Sequence, residues 1–79
     1  MLKYEHYVFE LGAIIKERAM EAKADHEKSY SGTKAGEFES GRLLAFNEVV
    51  SIMQQQAESF DIPLEKLHLQ GIDPDRDLL

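Results

Sequence analysis

With 79 residues, no Cys and a formal net charge of −6, the chain has room for one small domain, no disulfide to hold it, and an acidic balance unsuited to phosphate. Nucleic acid and an anionic membrane surface are therefore disfavoured as partners, and no metal is expected to stabilise the fold, which leaves association with another chain as the stabilising device. The stretch Met1–Tyr7 lacks the apolar core of a signal peptide, and no run approaches the roughly 20 apolar residues of a membrane span. The expectation is a soluble, cytoplasmic protein.

The first element is a helix over about 2–30. Tyr4, Val8, Leu11, Ile15, Ala19 and Ala22 recur at spacings of three and four, with Glu and Lys between them. The polar stretch 31–35 reads as a loop, with Gly32 free to take the left-handed conformation and Thr33 placed to cap the next helix. That second helix spans about 36–60 and carries acidic Glu37 and Glu39 near its start, where they suit the helix dipole. Asp61-Ile62-Pro63 breaks it. A short helix or turn over about 63–69 ends before Gly71, and the tail 70–79 can form one more turn begun by Asp73-Pro74. The fold class is all-α: an antiparallel two-helix hairpin plus a short C-terminal helix or turn.

A hairpin turning at Gly32 pairs positions whose numbers add to about 64. That register sets Tyr4 near Phe60, Val8 near Gln56, Leu11 near Met53, Ile15 near Val49, Ala19 near Ala45, Ala22 near Arg42 and His26 near Phe38. Phe38, Ala45, Val49, Ile52 and Met53 then face the first helix. Leu43, Phe46, Val50 and Ala57 form an adjoining strip, and Leu2, Phe9, Ala13 and Met20 a second line on the first helix. Fully burying one large apolar side chain is worth on the order of 1.5–3 kcal/mol. The surplus strip therefore needs a cover. The expected cover is a second copy, two hairpins making a four-helix bundle with Leu43, Phe46, Val50, Ala57, Phe9 and Met20 at the interface. The competing expectation is a monomer whose Leu64, Leu67 and Leu69 fold back over the strip.

Residues with chemical potential are few. Arg42 is an inward charge beside Asp25 and His26, which marks a polar cluster able to hold a small anion or carboxylate ligand, or to clamp the register as an ion pair. Arg18 has Glu48 within reach across the hairpin. His6 and Glu10, at i and i+4, can share a metal only as a two-ligand site. The Glu-x-x-His pairs of a di-iron bundle are missing from the long helices. Asp73, Asp75 and Asp77 alternate like the start of a calcium loop, but the Gly and Glu that complete it are absent. Ser29, Ser31, Ser40, Ser51 and Ser59 have no nucleophile-elbow context, and Gly32 and Gly36 do not form a phosphate loop. Gln56 is expected to turn inward as a register-setting polar group, and Leu44 to stand alone on the polar face.

The shape is similar to small antiparallel hairpins that dimerise, such as Rop-like plasmid RNA-binding proteins, without a matched motif. That likeness would imply nucleic-acid binding, which the acidic balance opposes. The reading is a non-enzymatic interaction module without a cofactor, a homodimer that can present its surface to another protein. The alternative is a ligand- or metal-binding bundle built on Arg42, Asp25 and His26.

Overall fold

In the computed structural model, which describes residues 2–30 and 32–79, every regular element is helical. α1 runs Lys3–Lys28 and α2 runs Lys34–Ser59. A 3-10 helix, Leu64–Leu67, comes next, and α3 is the single turn Pro74–Asp77. Met1 and Ser31 lie outside the described residues, so the sequence readings that touch them have no structural counterpart.

Local chemistry accounts for the boundaries. α1 stops at Lys28, earlier than expected, because Ser29 turns extended and its hydroxyl donates to the His26 carbonyl at 2.8 Å. Gly32 takes φ +79° in the connection. The Thr33 hydroxyl oxygen accepts from the Gly36 amide at 3.0 Å, so α2 starts at Lys34. At its far end, Asp61 adopts the left-handed conformation (φ 54°), the Asp61 amide donates to the Glu58 carbonyl at 3.1 Å, and the Ile62 amide donates to Ala57 at 2.8 Å. That is a Schellman ending made without glycine. Asp73 caps α3 by accepting from the amides of Asp75 and Arg76, as its place before Pro74 suggests.

The hairpin forms, but in a different register. Arg42 meets Asp25 and Ser40 meets His26, so facing numbers add to about 67 rather than 64. A shift of three residues rotates the facing line of α2 by about 60° at 100° per residue. The strip taken for surplus becomes the core: Leu43, Val50 and Ala57 are buried, with Phe46 and Met53 packed beside them. From α1, Ala19 and Ala22 are fully buried, and Val8 and Ile15 pack against the same cluster. Conversely Phe38, Val49 and Ile52, expected to face α1, are exposed, and Gln56 points outward.

The second layer is the tail. Leu67, Leu69, Ile72, Pro74 and Leu78 are buried against the hairpin, and Leu69 and Leu78 are entirely enclosed. This stretch has little regular structure, so its carbonyls need partners from elsewhere. The hairpin supplies them. Gln54 Nε2 donates to the carbonyls of Leu69 (3.1 Å) and Ile72 (2.8 Å), Asn47 Nδ2 to Pro74 (2.7 Å), and Lys16 Nζ to Gln70 (2.7 Å). Gly12 is the hinge of this fit. A Cβ at Gly12 would run into the Leu67 carbonyl, so the tail backbone lies directly on the helix surface there.

Candidate functional site

Of the six residues expected at a chain–chain interface, none stands free as a patch. Leu43, Val50 and Ala57 are buried within the one chain, and Phe46 packs against that core. Phe9 stacks on His68 of the tail, with ring centroids 3.8 Å apart and planes inclined by 30°. Met20 is exposed, one apolar side chain away from the cluster. The correction has a plain cause. The strip needs a cover, and the chain's own residues 67–78 provide it, so a second copy is not required there.

The polar cluster is real but differently composed. Arg42 Nη1 donates to Asp25 at 2.8 Å and to Glu39 at 3.2 Å. The hydrogen bonds to Asp25 and then Glu39 push the guanidinium still further above its ordinary pKa. His26 pairs with Ser40 at 3.1 Å, one turn along. Two carboxylates against one guanidinium give the cluster a net negative charge. Glu39 was the missed partner; its place three residues before Arg42 on the same helix was the available signal. Arg18 pairs with Glu21 of its own helix at 3.3 Å, not with Glu48. His6 and Glu10 lie 3.8 Å apart in solvent. Among the described residues, no three of His, Asp and Glu stand close enough to share a metal ion, and no helix is long and apolar enough to cross a membrane.

A second charged group holds the tail. Asp77 accepts from Arg76 at 2.7 Å and from the Asp73 amide at 2.9 Å, and Lys23 of α1 lies 4.0 Å away. The Arg76 hydrogen bond, then the Asp73 amide, holds the Asp77 carboxyl well below the usual carboxylate range. Of the three alternating aspartates, Asp73 thus serves as a cap and Asp77 as a latch.

The remaining feature is the hairpin face opposite the tail. Phe9, Lys16 and Lys23 mark the tail side of α1, and Asn47 and Gln54 that of α2. By helical periodicity, Tyr4, Tyr7, Leu11, Ile14, Arg18 and Asp25 lie toward the other side of α1. Phe38, Arg42, Ala45, Val49, Ile52 and Gln56 do so on α2. The α2 set steps by three and four residues, and the α1 set does so as far as Arg18 with Asp25 seven residues on, the spacing of a bundle seam. Tyr4, Tyr7, Phe38 and Phe60 are 83, 64, 67 and 71% exposed, and Leu11, Ile14, Val49 and Ile52 are exposed as well. Two shallow grooves run along it. Tyr4, Val8, Ile62 and Leu67 line one together with the charged Glu5, Asp61 and Lys66, and Ile52, Met53, Phe60, Ile62 and Leu67 the other. They share Ile62 and Leu67, so the apolar surface is continuous across the end remote from the loop.

Compared with protein-family models, curated proteins and solved structures, the chain matches none of them.

Proposed function

We propose that this protein is a small, non-catalytic, cytoplasmic interaction module whose working surface is the open hairpin face, and that the face is closed by a second copy to make a four-helix bundle with the two tails outside. The absence of Cys suits that compartment. The observation that supports the reading is the size and pattern of the apolar surface left by the tail. At about 150–250 Å² per aromatic side chain, Tyr4, Tyr7 and Phe60 at the remote end present roughly 300–550 Å², and Phe38 adds a separate ring near the loop. The molecule measures 45 × 20 × 16 Å, so its broad face is about 900 Å² in projection. A stable dimer needs about 800 Å² from each partner. The face is thus large enough for a dimer, and its seam spacing suits helices as the occupant.

Light scattering of the intact chain at micromolar concentration tests this. The expected mass is twice that of one chain. The double variant Ile14→Glu, Ile52→Glu places charge in the middle of the face and is expected to give the single-chain mass with unchanged helicity, because neither residue is part of the core. A wild-type chain that stays monomeric, or a double variant that stays dimeric, refutes the proposal.

A further inference from the structure

We infer that the two copies pack with their loops at the same end, related by a twofold axis along the hairpin, so that α1 of each lies over the partner's α2. This rests on the proposed dimer. It comes from how polarity is distributed along the open face.

Extending the observed pairing by helical rise sets Asp25 level with Arg42, Arg18 with Val49, Ile14 with Ile52, Leu11 with Gln56 and Tyr7 with Phe60. The half near the loop carries the ion pairs Arg42–Asp25 and Arg18–Glu21, with Phe38 beside them. The remote half carries most of the exposed apolar side chains, Tyr4, Tyr7, Leu11, Ile14, Ile52, Phe60 and Ile62, with Lys3, His6 and Glu10 at the edge of α1. Two face-to-face arrangements obey twofold symmetry. Rotation about an axis across the hairpin turns one copy end over end. It lays Asp25 and Arg42 over the apolar half, desolvating ion pairs against rings with no new partner. Rotation about the long axis keeps like ends together and exchanges the helices. Asp25 then lies over the partner's Arg42, and Arg42 over the partner's Asp25, so each guanidinium gains a second aspartate across the seam. Ile14 meets the partner's Ile52, and Tyr7 the partner's Phe60, an aromatic contact worth more than its area. In the second arrangement Asp25 and Arg42 meet opposite charge, and Ile14 and Tyr7 meet apolar partners; the first gives neither pairing.

Because the chain has no Cys, single labelling sites can be introduced cleanly. Lys34→Cys marks the loop end and Glu65→Cys the remote end; both positions are exposed. Spin labels on each variant report the distance between copies by pulsed dipolar spectroscopy. The expected result is a short distance for the Lys34 pair, on the scale of the 20 Å width, and a longer one for the Glu65 pair, whose sites lie toward the tails outside the bundle. A Lys34 pair separated by the 45 Å length or more, with a dipolar signal present, overturns the orientation and leaves the dimer standing. No dipolar signal between copies, together with a single-chain mass, overturns the dimer and the orientation with it.

Discussion

Gly12→Ala separates a chain covered by its own tail from one that leaves its core strip for a partner, because the two differ in sign. Gly12 lies inside a 26-residue helix, where Ala is better than Gly by about 1 kcal/mol on propensity alone. If the α1 surface were open at this position, the substitution would stabilise the protein by about that amount. In the structure a methyl at Gly12 meets the Leu67 carbonyl, which is backbone and cannot rotate away. Leu67 and Leu69 are anchored in the core on either side of His68, so the 3-10 turn has little freedom to retreat. Overpacking costs about 1–3 kcal/mol, and an obstacle made of backbone puts this case in the upper part of that range, at about 2–3 kcal/mol, which outweighs the propensity gain and leaves a net loss of roughly 1–2 kcal/mol. For a domain of this size that is a fall in Tm of roughly 4–16 °C, at 4–8 °C per kcal/mol. Thermal unfolding followed by circular dichroism, at matched protein concentration so that dimerisation does not enter the comparison, measures it. A rise in Tm would show that the tail does not rest on α1 at Gly12, and the two-layer core would be wrong.

Two further outcomes bear on the tail. Gln54→Met keeps the side-chain volume but removes both hydrogen bonds to the Leu69 and Ile72 carbonyls, so urea unfolding is expected to show a loss of about 1–3 kcal/mol, while Gln55→Met on the exposed side changes stability little. For Asp77→Asn the test is the pH dependence. The folded carboxyl titrates below its ordinary value of 3.8, so its stabilising contribution is complete above that pH and is lost as pH falls through the lower folded value. The stability gap between wild type and variant is therefore expected to be constant from pH 7 down to about 5 and to shrink in stronger acid; a gap that closes near neutrality would remove Asp77 as the latch.

The candidate surface was only half legible in the sequence. Arg42 and Asp25 could be paired because they are the opposite charges that a short loop brings level. That the second helix carries two apolar stripes was also readable, because their combined width exceeds one neighbour's footprint. Which stripe is inside was not. The observed pairing is offset by about three residues from the expected one, and that offset exchanges core for surface on α2. A signal was present: Gly12, Ala19 and Ala22 form a line of small residues on α1, and small residues mark where another backbone comes close.

The sequence by itself determined the two long helices, the Thr33 cap, the break at Asp61–Pro63 and the turn at Asp73–Pro74, because these depend on spacing and on bonds within a few residues. Only the tertiary structure decided that residues 67–78 cover Leu43, Val50 and Ala57, and that Tyr4, Tyr7, Leu11, Ile14, Val49 and Ile52 remain outside. That choice depends on an irregular segment whose carbonyls are satisfied by Lys16, Asn47 and Gln54 from distant parts of the chain. Such long-range pairing leaves no periodic trace, so it becomes visible only once the chain has closed on itself.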